Sequence, residues 1–461
     1  MAATRPTDMP DALELARRIR AGTLDGAALL AGTRARIQRR NRAVNAVVRL
    51  YDDVVPAGDG PFAGVPFLLK DLLAAEQGRR LTAGARLLAD FRSPYTTEMV
   101  RRLRKAGLVT LGRTNTPEFG MMVTTEPALF GPCRNPHGVA YTAGGSSGGA
   151  AAAVASGMVP MAHATDGGGS IRIPAACCGC FGFKPSRGVN PLDPQFVDML
   201  GGLTAEHVIT RTVRDSAALL ATVGEVPDAP AGLAAQLDSL ERPPSGLRIR
   251  VVDGIWSTAA PHPDVARVLR RTADRLAALG HRVERGELPG RGLDVARAFT
   301  DFYCAQAHQT LDALGRARAR TVSADEVEPL TWAMAEVGAR ANTRARLAVL
   351  DRLLDAQRAV NAAFGGFDVL LTPTLATPPI PIGRLTGSRT DVDAVFADRL
   401  AFAPNTALFN ITGQPAMSLP LGRSAEGLPI GMQLVAGMGR DWLLMRLARS
   451  LEPDFEDARG R

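Results

Sequence analysis

Glycine between residues 131 and 190 comes in three bursts, at 144–149, 167–169 and 179–188. Bursts of this kind specify tight turns and close backbone approach, because glycine tolerates positive φ and puts no Cβ in the way. A flexible linker would spread its glycine evenly. Around the bursts, short apolar strands alternate with helices. Strands are expected at 62–69, ending on Lys70-Asp71, and at 108–111 and 159–164. Helices are expected at 97–106, stopped by Gly107, and at 148–156, where the residues are small. The alternation resumes with strand 247–252, helix 265–279 and strand 281–283. Further strands are expected at 368–372, 416–419 and 431–435, then a closing helix at 442–451. Two helices precede all of this, at 11–20 and from an N-cap at Thr23 toward 48. A long helical region rich in Ala and Arg occupies about 291–363. Strands alternating with helices indicate an α/β fold. The stretch 228–245, with prolines at 230, 243 and 244, reads as the one internal boundary.

The chain has 461 residues, 46% of them hydrophobic, which is enough apolar material for one large domain or two fused ones. Charged residues make up only 22%, too few for a disordered chain. The net charge of +8 raises the question of nucleic acid. No compact basic run interleaved with aromatics answers it, so no nucleic-acid partner is expected. The N-terminus has no apolar signal-peptide core, and no run of about 20 apolar residues exists to span a membrane. A cytoplasmic location is the default expectation. The five cysteines, Cys133, Cys177, Cys178, Cys180 and Cys304, are odd in number and irregularly spaced, which argues against a disulfide framework. The 177–180 cluster lacks a second Cys or His pair at ligand spacing, so small buried thiols are expected rather than a metal site.

Of 54 basic residues only three are lysine: Lys70, Lys105 and Lys184. Arginine cannot be deprotonated in a protein, whereas a buried lysine can. Lys105 sits in a basic helix and reads as a surface residue. Lys70 follows the apolar run Val65-Pro66-Phe67-Leu68-Leu69 and is placed to be buried. Two Gly/Ser clusters complete the chemistry, Gly144-Gly145-Ser146-Ser147-Gly148-Gly149 and Asp166-Gly167-Gly168-Gly169-Ser170-Ile171-Arg172. Three glycines before a serine expose several backbone N–H groups, as oxyanion binding beside a nucleophile requires. The first cluster formally fits a G-x-S-x-G nucleophile elbow. However, Tyr141-Thr142-Ala143 is too short and polar for the strand that motif needs, and no histidine stands in a recognisable triad context. A serine hydrolase without a usable histidine needs another base, and a desolvated lysine is the known substitute.

These residues resemble the amidase signature family. Gly64-Val65-Pro66 with Lys70-Asp71 looks like its catalytic-lysine segment, and Gly112-Arg113-Thr114-Asn115-Thr116-Pro117-Glu118-Phe119 like its G-K/R-T-N-x-x-E-F segment. Gly144 to Gly149 and Asp166 to Arg172 match its two serine segments. Cys178-Gly179, Phe183-Lys184-Pro185, Gly413-Gln414-Pro415-Ala416 and Gly427-Leu428-Pro429-Ile430-Gly431 resemble its continuation. The likeness runs from about residue 10 to 452. It implies a single domain over 1–461 built on a central mixed, twisted β-sheet with helices on both faces. The core would lie at about 60–230 and 365–452, with a substrate-covering helical region at about 291–363. It further implies that Ser170 is the acyl-accepting nucleophile. Ser146, in a cis peptide with Gly145, would bridge it to the terminal base Lys70. N–H groups of Gly167, Gly168, Gly169 and Ser170 would hold the oxyanion. Ser147 would donate hydrogen bonds near Lys70, Asp166 and Arg172 would brace the loop, and Lys184 would be structural. The relay supplies base, nucleophile and acid, so no cofactor or metal is implied. A homodimer is the family-level expectation.

Within the family, the chain looks most like bacterial enzymes similar to the aminohexanoate cyclic-dimer hydrolase, through Gly60 to Pro66, Val123-Thr124-Thr125-Glu126-Pro127 and Arg187-Gly188. Met121 stands where the pocket of that enzyme uses a polar residue. Met121, Met122, Phe302, Cys304 and Trp332, with Gly144 and Gly145, are the expected substrate contacts. They point to a small amide with a hydrophobic or aromatic part. Two alternatives stay open. One is the A-type glutaminase component of a tRNA amidotransferase, from whose usual glutamine-site run the segment 190–203 departs. The other is an enzyme that transfers the acyl group to an amine.

Overall fold

The computed structural model describes residues 9–54, 58–192, 202–256 and 260–455. At its centre lies an eight-stranded mixed sheet. The strands run in the spatial order Arg282–Arg285, Arg248–Val251, Val369–Pro373, Pro429–Ala436, Ala416–Arg423, Phe181–Lys184, Ala205–Thr210 and Met161–Asp166. The first three pair in parallel and every later pair is antiparallel. Successive strand residues point to opposite faces, and both faces here are apolar. Val369, Leu371, Met432 and Leu434 join one core with Val268, Leu276 and Leu447, from the helices Pro263–Ala278 and Asp441–Leu451. Leu370 and Val435 join the opposite core with Ile173 and Ala175, from the helix Arg172–Cys178. This is the α/β fold expected from the alternation of elements, with the mixed sheet and two helical faces that the family resemblance implies.

A second, three-stranded sheet carries the lysine. Leu108–Thr114 lies between Val47–Leu50, antiparallel to it, and Val65–Lys70, parallel to it. All six residues of Val65–Lys70 are buried. An apolar run covered on both faces thus delivers Lys70 to the interior, in register with Thr114 and against the strand Met161–Asp166.

The helical region comprises Leu293–Ala317, Pro329–Arg340 and Thr343–Ala363. Several expectations are corrected. The second helix begins at Gly26, and its cap is Asp25, which accepts from the Ala27 N–H at 2.9 Å, not Thr23. The 228–245 stretch is no loose boundary. It contains the helix Leu233–Leu240, and Asp228 accepts from the N–H groups of Trp442 and Leu443 at 2.9 and 3.0 Å. The 179–188 glycine burst holds a strand, Phe181–Lys184, as well as turns. A Cβ on Gly182 would sit 2.6 Å from the Ala175 Cβ, so glycine there lets helix and strand pack closely. Of the segment 190–203, residues 193–201 lie outside the described residues. No helix among the described residues is long and apolar enough to cross a membrane.

Candidate active site

Lys70 is fully buried. Its Nζ donates to Ser146 Oγ at 2.6 Å and to Thr165 Oγ1 at 2.8 Å. The buried Arg113 steadies its main chain by donating from Nη1 to the Lys70 carbonyl at 3.2 Å. An ammonium in dry surroundings loses its hydration, so burial pushes the Lys70 pKa down from 10.5 to about 7, against the pull of Asp166 and Glu206. The other lysines separate on geometry. Lys105 is exposed. Lys184 is buried and also pushed to about 7 by burial, but its Nζ donates to the Pro185 carbonyl at 2.8 Å and to no serine.

Ser146 sits where the first glycine cluster turns into the helix Gly148–Ala155. The Gly145–Ser146 peptide is cis. Gly145 is packed against main chain, with a Cβ there 2.4 Å from the Thr124 carbonyl oxygen. A Cβ on Gly144 would meet Pro174 at 2.8 Å. Both glycines therefore serve close packing beneath Ser146. Ser147 ties the two serine segments together. Its hydroxyl donates to the Thr165 carbonyl at 3.2 Å and accepts from the Thr165 N–H at 3.3 Å, and its N–H donates to the Ser170 carbonyl at 3.2 Å. It thus reaches Lys70 through Thr165, whose side chain the lysine contacts.

The second cluster folds around Asp166 at the end of its strand. Asp166 accepts from the Gly169 N–H at 2.7 Å and the Ile171 N–H at 3.1 Å. Arg172 grips the same carboxylate with Nε at 2.9 Å and Nη2 at 2.8 Å. Arg172 also donates to the Thr406 carbonyl, Asn410 Oδ1 and Gln433 Oε1 at 2.8, 2.6 and 2.8 Å. Burial pushes the Asp166 pKa up, but the Arg172 charge and hydrogen bonds outweigh it and hold the carboxyl well below the usual range. One consequence narrows the oxyanion expectation. In this structure the Gly169 N–H belongs to Asp166, whereas those of Gly167, Gly168 and Ser170 have no acceptor among the described residues. The Ser170 hydroxyl likewise forms no hydrogen bond among the described residues.

Ser146, Thr165, Gly167 and Ser170 form the floor of a cavity of about 250 Å³. Its walls include Leu72, Leu81, Phe119, Met121 and Tyr303, and none of its described lining residues carries a charge. Met121 stands on this wall. Met122 is buried in the core and does not line this cavity. Cys304 faces a separate cavity with Phe302 and Val349, and Trp332 a third with His308 and Glu336. For Cys304 the reason is helical phase. On Leu293–Ala317 the residues facing the serines are Tyr303, Gln306, Thr310 and Leu314, spaced three and four apart, and Cys304 lies one residue, about 100°, out of step. Sequence reasoning missed Tyr303, because Gln306 and Thr310 make its stripe read as a solvent-facing one. Thr165 was also missed, although it stands beside Asp166 in a strand that ends on the second cluster.

His163 and His207 are engaged away from the serines. His163 Nε2 lies 2.8 Å from Glu206 Oε2, and His207 Nε2 2.9 Å from Ser216 Oγ. Among the described residues no histidine hydrogen-bonds either serine. None of the five cysteines is in a disulfide, and all are buried.

The family model Amidase matches residues 39–445. The 6-aminohexanoate-cyclic-dimer hydrolase of Paenarthrobacter ureafaciens is 36% identical over 466 aligned positions, covering 96% of this chain and 94% of that protein. A solved structure of 6-aminohexanoate cyclic dimer hydrolase complexed with substrate superposes with a TM-score of 0.90 at 34% identity, covering 98% of each chain. The A-type component of the glutamyl-tRNA(Gln) amidotransferase of Treponema pallidum is 32% identical, covering 85% of this chain and 82% of that one.

Proposed function

The chain belongs to the amidase family and is a hydrolase of amides; from that premise we propose that it works through an acyl-enzyme on Ser170, with Ser146 and Lys70 as the proton relay. The observation that carries this reading is the buried Lys70–Ser146 contact of 2.6 Å, made by a lysine whose pKa burial brings to about 7. A neutral amine at that place takes the Ser146 proton while Ser146 takes the proton of Ser170. The Ser170 oxygen then bonds to the amide carbonyl carbon. The oxyanion is held by the N–H groups of Gly167, Gly168 and Ser170, which the glycines leave uncovered. Protonated Lys70 returns its proton through Ser146 to the amide nitrogen, the C–N bond breaks, and the amine leaves. Water repeats the cycle on the ester and releases the acid. Ser147, Asp166 and Arg172 hold the two loops in place for these transfers.

The described lining residues carry no charge, which favours a small amide with a hydrophobic or aromatic part. They speak against the glutaminase alternative, because free glutamine brings a carboxylate and an ammonium that need opposite charges in the site. Transfer to an amine starts from the same acyl-enzyme, and product analysis with and without an added amine separates it from hydrolysis. The test of the relay is amide turnover by Ser170→Ala and Lys70→Ala proteins. Both lose it if the reading holds, and wild-type rates in either would sink it.

A further inference from the structure

The wall opposite the serines is one face of the helix Leu293–Ala317, and that face is not uniformly apolar. Tyr303, Gln306 and Thr310 line the cavity in succession before Leu314 closes it. They are uncharged, and each can donate or accept a hydrogen bond. From 303 to 310 the stripe runs about 10 Å outward along the helix, at about 1.5 Å per residue.

Tyr303 is the best placed of the three. It is only 5% exposed. Its ring is wedged against Phe299 at a centroid distance of 4.7 Å and Phe302 at 6.5 Å. The buried Arg399 guanidinium lies 5.8 Å from the ring centroid on another side. This packing fixes where the hydroxyl goes. A Cβ built on Gly168 would stand 3.3 Å from the Tyr303 oxygen, so the hydroxyl hangs over the glycine loop next to Ser170. A buried tyrosine hydroxyl normally finds a partner. This one has none among the described residues, and it opens onto the cavity where substrate would lie. Burial pushes its pKa up, so it stays protonated and able to donate. Gln306 uses its Nε2 on Gln309 Oε1 at 3.1 Å.

We propose that the Tyr303–Gln306–Thr310 stripe reads a second, uncharged hydrogen-bonding group of the substrate, with Tyr303 donating to an acceptor near the scissile amide. The preferred substrate is therefore not a plain hydrophobic amide. It is a neutral molecule whose apolar chain carries a second acceptor, such as another amide carbonyl, on the side facing this helix. The inference rests on Ser170 being the nucleophile, and it assigns the specificity of that same site.

The experiment compares two anilides of equal length: a fatty acyl anilide, and a diamide in which an inner amide carbonyl replaces a methylene segment. The readout is the ratio of their kcat/KM values. Wild-type protein favours the diamide. Tyr303→Phe, which keeps the ring, lowers that ratio about 3- to 10-fold, the worth of one hydrogen bond, and does so through KM. In a second diamide the inner carbonyl is moved outward by one helical turn, about 5 Å. For it, the sensitivity passes from Tyr303→Phe to Gln306→Leu. An unchanged ratio in Tyr303→Phe overturns the proposal, as does an equal loss on both probes, which would place the hydroxyl on the scissile group itself. Mass mapping with a fluorophosphonate runs alongside. Protein labelled on Ser170 that turns over neither probe sinks the substrate assignment alone, whereas protein that takes no label on Ser170 sinks the underlying reading.

Discussion

Replacing Lys70 by methionine separates the cost of burying an amine from everything else it does. In the unfolded chain the amine has its ordinary pKa of 10.5, and in the fold burial brings it to about 7. Between those values the unfolded chain binds the extra proton, so wild-type stability rises with pH through this window. The penalty is fully present below pH 7 and gone above the unfolded value. At about 1.4 kcal/mol per pH unit it amounts to about 4 kcal/mol at pH 7, about 3 at pH 8.5 and under about 1 at pH 10. Methionine has similar length and no charge, so it escapes the penalty. It leaves the Ser146 and Thr165 hydroxyls without their partner, a cost of roughly 1–3 kcal/mol each that does not vary with pH in this range. The absolute difference at any one pH is thus a balance, but its change with pH is set by the lysine alone. Urea unfolding of both proteins at pH 7, 8.5 and 10 measures it. Lys70→Met loses about 3 kcal/mol relative to wild type between pH 7 and 10. Lys184 titrates in both proteins and cancels. A difference that stays flat from pH 7 to 10 would mean that Lys70 is charged in the fold, and the relay would lose its base.

Three further outcomes follow from the same geometry. For an uncharged amide, kcat/KM falls about tenfold per pH unit below an apparent pKa of about 7, because protonated Lys70 cannot accept a proton; a limb centred below pH 5.5 would point to a carboxylate base instead. Gly145→Ala forces a Cβ to within 2.4 Å of the Thr124 carbonyl oxygen, moves Ser146, and costs roughly 1–3 kcal/mol together with amide turnover; an alanine variant with wild-type turnover contradicts the packing argument. Arg172→Met leaves the Asp166 carboxylate buried without its cation and destabilises the fold by about 3–5 kcal/mol in denaturant unfolding; a loss under about 1 kcal/mol refutes the brace.

Much of the site was legible because its residues are bound by local rules. Glycine bursts mark places where side chains do not fit, and the collision distances at Gly145 and Gly182 bear that reading out. An apolar run ending on one of three lysines marks a buried amine, and Lys70 is fully buried. The parts that stayed hidden depend on three-dimensional geometry that composition does not carry. The Gly169 N–H is taken by a carboxylate three residues away, which composition does not reveal. The family likeness pointed to Cys304 as a pocket residue, but a phase of about 100° per residue turns it away from the stripe of Tyr303 and Gln306, into a separate cavity. Thr165 becomes a partner of Lys70 only once two separate sheets bring residues 70 and 165 together. Similarly, the 228–245 stretch reads as a boundary because nothing local shows that Asp228 accepts from the first turn of the helix beginning at Asp441.

In the proposed mechanism Ser170, and not the nearby Ser146, carries the acyl group. Both serines fall in one tryptic peptide, 135–172, since no lysine or arginine lies between Arg134 and Arg172. The decisive measurement is therefore fragment-ion mapping of that peptide after reaction with a fluorophosphonate or a slowly hydrolysed ester. The added mass is expected on Ser170 in wild-type protein, with no adduct in Ser170→Ala and much slower labelling in Lys70→Ala. Mass found on Ser146, or labelling of Ser170 at the same rate without Lys70, would contradict that mechanism.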